Sequence, residues 1–259
     1  MKKIVLLLNI LALASFVQAQ TCSLKSTATE AFTLTMKATG GTNGASICWN
    51  PDMKKYYAGI AGNADFPIET FSVDGRSLGY HASGFDLRGL WYNPSTQQVE
   101  CNGYSDYGWY SFLLSSDGVL SSAGRLLKSG MNQPTDQSVG AYDSKSKKVF
   151  FLNDDLKVVA WSRSSIKKGK MITLKNIPHY GSNLNYSLMF TGCSGKEFCL
   201  LNFDLKELYF FNMKGAYTGT VSLPSGVSPK ENFNCGFANN YFFLFNTDSR
   251  VWTAYSVCQ

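Results

Sequence analysis

The stretch 140–162, GAYDSKSKKVFFLNDDLKVVAWS, carries the pattern that decides the fold. An apolar pair, Ala141-Tyr142, precedes a polar turn, and a β-branched and aromatic run follows at 149–152. A second turn at 153–155 leads to another such run at 158–161. Short runs of this composition, bounded by turn residues, are typical of β-strands. The stretch therefore predicts three short strands joined by two tight reversals.

The same order of parts occurs five times along the chain. Each unit opens with a two-residue anchor, which a polar turn and then an aromatic run follow. The second residues of successive anchors lie 43, 50, 48 and 47 positions apart, and the anchors are Cys48-Trp49, Trp91-Tyr92, Ala141-Tyr142, Met189-Phe190 and Gly236-Phe237. Such a period indicates a repeat architecture with one supersecondary unit per repeat. Three units also contain a tight-hairpin signal that predicts a fourth strand, at Asp74-Gly75, Asp117-Gly118 and Lys214-Gly215.

The last unit stops at Gln259 without a fourth strand. Conversely, the strand-like segment 31–38, AFTLTMKA, precedes the first anchor and has no unit of its own. If the units form a ring, this segment completes the last unit and satisfies an otherwise open strand edge. A disulfide between Cys22 and Cys258 would fasten the same seam. The alternative is that one of these terminal thiols stays free.

The repeat resembles the β-propeller superfold at the level of architecture, since 40 to 50 residues is the period of four-stranded blades. We therefore expect an all-β fold, a five-bladed β-propeller whose ring an N-terminal strand closes. The expected divisions are a signal peptide (1–19) and a single domain (20–259), made of the closing strand and entry (20–47), four blades (48–90, 91–140, 141–188 and 189–235) and a fifth blade (236–259) completed by 31–38. The sequence shows no motif of the glutaminyl cyclases, olfactomedin domains or five-bladed glycosidases.

The N-terminus has the three parts of a secretory signal peptide. Lys2 and Lys3 form a basic head, residues 4–13 an apolar run, and Val17-Gln18-Ala19 a small-residue cleavage pattern. We expect a secreted or periplasmic protein, cleaved near Ala19, without a membrane span, because no later segment has about 20 consecutive apolar residues.

Seven cysteines fit an oxidising compartment. Besides the terminal pair, Cys193 and Cys199 flank a turn, so they are predicted to form a disulfide across a hairpin. Seven is an odd number, so at least one thiol lacks an internal partner.

Charge gives little indication of a partner. Charged residues make up 16% of the chain, and loss of Lys2 and Lys3 with the leader lowers the formal net charge from +6 to +4. No nucleic-acid signature is present. One cluster of basic residues, Lys167, Lys168 and Lys170, is interpreted as a solvated turn. Binding of an anionic polymer or a membrane surface is the alternative.

The resemblance to propellers implies a ligand face, formed by the loops between second and third strands and by those between blades. Asp86, Asp136 and Glu231 each lie six residues before the second residue of an anchor. If they converge, these carboxylates would bind calcium or act as acid and base on a glycosidic bond. Alternatively, they are polar residues that enter a strand at a wet surface. Other candidate ligand-binding residues on this face are Asn43, Asn185, His81, His179, Tyr104 and Tyr107.

From these features we expect a monomer that needs no cofactor, calcium aside, and binds a glycan or a protein on its loop-rich face without catalysis. One alternative is a glycosidase-like hydrolase that uses Asp86, Asp136 and Glu231. Another is an envelope or extracellular protein with a structural or interaction role. Rigid scaffolds with variable loops serve all three, so function has to be argued from the site.

Overall fold

The structure, a computed structural model, describes residues 22–153, 155–179 and 183–259. The predicted signal peptide lies outside the described residues. The elements confirm an all-β fold, and no helix in this part of the chain has the length and apolar character that crossing a membrane requires. The strands are β1 (Leu24–Thr35), β2 (Asn43–Asn50), β3 (Lys55–Ala61), β4 (Pro67–Ser72), β5 (Ser77–Ala82), β6 (Leu87–Asn93), β7 (Gln98–Gly103), β8 (Trp109–Phe112), β9 (Arg125–Lys128), β10 (Ala141–Asp143), β11 (Lys148–Leu152), β12 (Lys157–Ser162), β13 (Lys167–Thr173), β14 (Met189–Phe190), β15 (Phe198–Asn202), β16 (Glu207–Phe211), β17 (Tyr217–Ser222), β18 (Cys235–Ala238), β19 (Tyr241–Asn246) and β20 (Val251–Cys258).

The stretch 140–162 forms three antiparallel strands, as its pattern predicts. Ala141 on β10 pairs with Phe150 on β11, which pairs with Ala160 on β12. A fourth strand, β13, completes this sheet in the order β10-β11-β12-β13. Two other sheets have the same order, β2-β3-β4-β5 and β6-β7-β8-β9. In each, consecutive strands are neighbours, and the connections are short except for residues 113–124 between β8 and β9.

The remaining strands form one eight-stranded sheet in the order β14-β15-β16-β17-β1-β20-β19-β18. Its halves meet where β17 and β1 run parallel with a single registered pair, Thr27 with Ser222. In contrast, β1 and β20 are antiparallel and pair from Leu24 with Cys258 to Thr35 with Val251. The eight strands thus consist of two antiparallel groups of four, joined by one short parallel contact.

The first and last strands are also joined covalently. Cys22 and Cys258 form a disulfide with their α-carbons 5.5 Å apart, and beyond β1 the amide of Met36 donates to the carbonyl of Arg250. Strand β1 starts at Leu24, seven residues before the predicted segment. The sequence pattern does not predict this extension, because the first half of the strand is polar. Pairing with β17 and β20 satisfies its backbone hydrogen bonds without an apolar pattern.

Buried apolar residues gather into five clusters between facing sheets. One example combines Phe150 of β11 with Leu200 and Tyr209 of the following sheet. Middle strands are buried on both faces: β4 is buried at every residue and β12 at 158–161. In β12 this gives a continuous rather than alternating apolar run. The outer strands β5, β9 and β13 are largely exposed.

The first strands of the units, β2, β6, β10, β14 and β18, surround the centre. Each contacts the next, and β18 contacts β2. Glycine permits the closest approaches: a Cβ on Gly89 would lie 2.3 Å from the amide nitrogen of Gly140, and one on Gly236 would lie 2.7 Å from Ile47. Side chains at these two positions would push neighbouring first strands apart.

The predicted disulfide between Cys193 and Cys199 is absent, and both are buried free thiols. In the hairpin of β14 and β15, Cys199 lies opposite Met189, whereas Cys193 lies in the turn. The sulfur of Cys193 instead lies within 4.8 Å of the sulfurs of Cys22 and Cys258. Flanking a turn in sequence therefore did not make the two cysteines cross-strand partners.

Candidate functional site

A cavity of about 490 Å³ lies at the centre, where the five first strands surround it. Its wall comes from β2, β6, β10, β14 and β18, and its rim comes from the turns that follow them. Exposed rim residues, including Pro51, Pro94 and Ser194, open the cavity to solvent at this end. The size suits a small ligand or one end of a longer chain.

The anchor pairs of the repeat place one aromatic residue per unit in the cavity lining. These five residues are Trp49, Tyr92, Tyr142, Phe190 and Phe237, and Trp91 also lines the cavity. Trp49, Tyr142, Phe190 and Phe237 pack against buried clusters between the sheets and remain partly exposed. Aromatic faces on a rigid wall offer stacking surfaces for a ligand.

The two carboxylates that line the cavity accept hydrogen bonds from turns of the chain. Asp143 accepts hydrogen bonds from the amide of Lys145 at 3.0 Å and the hydroxyl of Ser146 at 2.6 Å. Glu197 accepts from the amides of Gly195 at 3.0 Å and Met213 at 3.1 Å. Both side chains thus stabilise turns at the rim.

Two thiols contribute to the wall, Cys48 and Cys235. Burial raises the pKa of Cys48 well above its ordinary value, and burial raises the pKa of Cys235 to about 12. A thiol acts as a nucleophile or metal ligand in its deprotonated form. At neutral pH both residues are therefore neutral thiols that pack as small apolar groups.

The opposite end of the first strands is filled by an arginine. Arg88 on β6 is buried and bonds both carboxylate oxygens of Asp86, with Nη2 to Oδ2 at 3.0 Å, and donates from Nε to Gln137 at 2.9 Å. Its guanidinium also lies 4.8 Å from the ring centre of Tyr104 and 5.1 Å from that of Phe233. Arg88 therefore ties together segments from three junctions between sheets.

Buried amides support the same end. Asn102 accepts hydrogen bonds from the amides of Gly89 and Gly140, both at 3.0 Å. Asn185 donates to the carbonyls of Lys230 and Phe233, and Asn234 accepts from the amide of Gly44 at 2.8 Å. These amides crosslink the entry points of the first strands and leave the open cavity at the other end.

The structure does not bring the three predicted carboxylates into one cluster. Asp86 is paired with Arg88, whereas Asp136 and Glu231 are exposed. In residues 22–153, 155–179 and 183–259, the one group of three His, Cys, Asp or Glu side chains with ligand atoms within 4.8 Å of one another contains Cys22, Cys193 and Cys258. Calcium binding by Asp86, Asp136 and Glu231 is therefore not supported by their positions.

The other predicted ligand-binding residues are spread over the same end. Asn43 is exposed and accepts a hydrogen bond from Asn234, Asn185 is buried, and Tyr104 contacts Arg88. His81 lies within β5, paired with Ile68, rather than in a loop as predicted. His81, His179 and Tyr107 are exposed, and none of the three lines the central cavity.

The aromatic lining was missed, although the sequence contains its signal. The second residue of every anchor is aromatic, and the anchors recur at the start of each unit. The anchors define the repeat, whereas the resemblance to propellers places the ligand face on other loops. The innermost position of these strands makes the anchors cavity residues.

Comparison with solved structures finds similar folds at low sequence identity. A glutaminyl cyclase from Myxococcus xanthus matches with a TM-score of 0.59 at 7% identity, covering 91% of this chain and 98% of that chain. A gluconolactonase from Xanthomonas campestris matches at 0.51 and 9%, covering 87% and 98%. A protein of unknown function from Bacteroides thetaiotaomicron matches at 0.52 and 10%, covering 92% and 74%.

No protein-family model and no curated protein sequence matches this chain. At such identities the likeness to solved structures concerns the fold and carries no activity across. The two enzymes are propeller-type folds, and this chain shares their antiparallel four-stranded sheets. The predicted resemblance to the β-propeller superfold is thereby confirmed.

Proposed function

We propose that the chain is a five-bladed β-propeller that binds a glycan in its central cavity without catalysis. Five aromatic residues, one from each repeat unit, border a single cavity, and this observation carries the proposal. Sugar rings present apolar C–H faces and polar edges. Aromatic faces in the wall suit the former, and Ser144, Ser194 and Asn239 at the rim supply hydrogen-bonding groups for the latter.

The strand pairing supports the five-bladed arrangement. The cyclic contacts among β2, β6, β10, β14 and β18 leave no gap in the ring of first strands. Dividing the eight-stranded sheet at its single parallel pair gives two further groups of four, one of which is β18-β19-β20-β1. In this arrangement β1 is the outer strand of the fifth blade. Closure by β1 would remove the open edge of β20.

The disulfide supports a secreted or periplasmic location. Cys22 and Cys258 are oxidised in the structure, and structural disulfides persist mainly outside the reducing cytosol. A location outside the cytoplasm would also give the protein access to extracellular or envelope glycans. The predicted signal peptide is consistent with this proposal, and N-terminal sequencing of the exported protein would test cleavage near Ala19.

Glycan binding is tested by an array screen of the mature protein, followed by calorimetry on the tightest-binding glycan. Tyr142→Ala and Phe190→Ala each remove one stacking surface, and we expect about tenfold weaker binding, equivalent to about 1.4 kcal/mol. Tyr107→Ala is the matched control, because it removes an exposed aromatic residue outside the cavity lining. Equal affinity in all three variants would refute binding in the cavity.

Loss of folding could imitate loss of binding, since Tyr142 and Phe190 also pack against buried clusters. A second measurement on the wild type avoids this ambiguity. Trp49 and Trp91 line the cavity, so a bound glycan should change tryptophan fluorescence in a saturable way. Binding without any such change would place the ligand elsewhere.

The hydrolase alternative is compatible with a fold that two enzymes among the structural neighbours share. It assigns acid and base roles to two of Asp86, Asp136 and Glu231. The ion pair between Asp86 and Arg88 argues against a free carboxylate at that position. Release of product from the array-selected glycan, lost in Asp136→Asn and Glu231→Gln, would establish this alternative; an unchanged glycan after prolonged incubation would exclude its hydrolysis.

A further inference from the structure

Positive charge is concentrated in one of the sheets. Residues 141–173 contain eight of the 24 Lys and Arg residues but three of the 18 Asp and Glu residues. The rest of the chain holds 16 basic and 15 acidic residues and is nearly balanced. Five-sixths of the net charge of +6 therefore belongs to the sheet β10-β11-β12-β13 and its turns.

Lysines of this sheet extend from the cavity rim toward its outer strand. Lys145 lines the cavity, Lys147 follows it in the same turn, and Lys148 is the first residue of β11. The next turn lies alongside, because the amide of Arg163 donates to the carbonyl of Lys147 at 2.9 Å. We use the name lysine ridge for the exposed residues Lys145, Lys147, Lys148 and Lys167.

Strand register carries the ridge from the cavity to the outer edge. Lys148 on β11 pairs with Ser162 on β12, which pairs with Lys167 on β13. Directly paired residues face the same side of a sheet, and neighbouring strands lie about 4.8 Å apart. The α-carbons of Lys148 and Lys167 are thus separated by about 10 Å on one side of the sheet.

Within the described residues, none of the four ridge amines lies within 4 Å of a carboxylate. Acidic groups of this sheet and of the preceding one have other partners. Asp143 accepts hydrogen bonds from its own turn, Asp155 pairs with Lys157, and Glu100 pairs with Arg163. The ridge therefore presents positive charge that the fold does not neutralise.

Lysines on edge strands also prevent sheets from pairing with other molecules. This role accounts for Lys168 and Lys170 on the outer strand β13. It does not account for Lys145 and Lys147, in the turn between β10 and β11, or for Lys148 at the start of β11. Of these, Lys145 lines the cavity. Edge protection therefore does not explain these three lysines, whereas binding of an anionic ligand would.

We propose that the ligand is an acidic glycan, a chain bearing carboxylate or sulfate groups. One end enters the aromatic-lined cavity, and the acidic units that follow lie along the lysine ridge. This inference rests on the proposed glycan binding, which supplies the neighbouring aromatic wall. Lysine ammonium groups attract anionic groups without demanding one fixed geometry, so they suit a chain with repeated acidic units.

The test compares binding of polygalacturonate, heparin, neutral dextran and inorganic polyphosphate to the mature protein by calorimetry at low and high salt. The ridge variant is Lys145→Gln, Lys147→Gln and Lys148→Gln together. Its matched control is Lys128→Gln, Lys214→Gln and Lys230→Gln, which removes the same charge from exposed positions outside this sheet. We expect polygalacturonate or heparin to bind, about tenfold more weakly in the ridge variant, with less than twofold change in the control.

Affinity should also fall as salt rises, because screening weakens exposed charge interactions. If a neutral glycan binds and the acidic ones do not, the acidic ligand is refuted while glycan binding stands. If no glycan binds, both proposals fail. Equal weakening in the ridge and control variants would refute the ridge. Polyphosphate binding as tight as that of the acidic glycans, unaffected by Tyr142→Ala, would show a purely electrostatic site and overturn the glycan assignment.

Discussion

Replacing Cys22 and Cys258 together with alanine should cost more stability than removal of any other cysteine. The disulfide joins residues 236 positions apart, and restricting so long a loop in the unfolded chain corresponds to about 5 kcal/mol in the chain-entropy account. We expect a loss of about 3 to 5 kcal/mol, since measured effects fall at or below the calculated one. For a chain of this size the melting temperature should fall by about 6 to 20 °C.

Both cysteines have to be replaced because Cys193 lies within 4.8 Å of their sulfurs. A single replacement would leave a thiol with which Cys193 could form a new disulfide. Burial raises the pKa of Cys193, so little thiolate is present at neutral pH and exchange with the intact disulfide should be slow.

The assay is urea unfolding of the non-reduced protein, followed by tryptophan fluorescence, with free thiols counted after denaturation. Wild type and double variant should both show five thiols, matching the five free cysteines. Cys193→Ala keeps the disulfide and is the control, with an expected loss of about 1 kcal/mol. A double variant within 1 kcal/mol of the wild type would refute the stabilising role of the seam.

Three further perturbations test the buried polar contacts. Glu100→Gln removes the charge that holds Arg163, with Nη2 to Oε1 at 2.6 Å, so urea unfolding should show a loss of about 3 to 5 kcal/mol; a loss below 1 kcal/mol would contradict it. Glu69→Gln weakens the hydrogen bonds that this side chain accepts from the amides of Lys37 and Ala38, just after β1. The free energy of unfolding should fall by about 1.5 to 3 kcal/mol, and hydrogen exchange of these two amides should become faster. Unchanged exchange would contradict this role of Glu69. Burial raises the pKa of Tyr56 and Tyr209 from 10.0 to about 12, so the folded state keeps protons that the unfolded chain releases. Stability should be full below about pH 10 and fall as pH rises toward 12, as the urea midpoint would report; a constant midpoint would refute this.

The repeat and the strand order were predictable because they depend on local chemistry. Turn residues and aromatic runs alternate within each unit, as in 149–152 and 158–161, and hairpins form between adjacent segments. The start of β1 at Leu24 was not predictable in this way. Its first half is polar, and its position depends on pairing with β17 and β20, which are distant in sequence.

The candidate site was less predictable because it depends on which end of the ring of first strands is filled by side chains and which end is open. The sequence predicts a free carboxylate at Asp86, but Arg88, two residues later, forms an ion pair with it. The cavity instead depends on residues such as Tyr142 and Phe190. Each packs against a buried cluster and also lines the cavity, so its aromatic ring alone does not reveal a binding role. Sequence alone did not distinguish the two ends, since each contains polar and aromatic residues.

Oxidative footprinting of the wild type, with and without the tightest-binding glycan, tests the binding site most directly. Aromatic side chains react with hydroxyl radicals when exposed, so a ligand protects those that it covers. We predict protection of Trp49, Tyr142 and Phe190 at the cavity, with Tyr107 unchanged. Protection of Tyr107 with unchanged reactivity of the cavity residues would contradict binding in the central cavity.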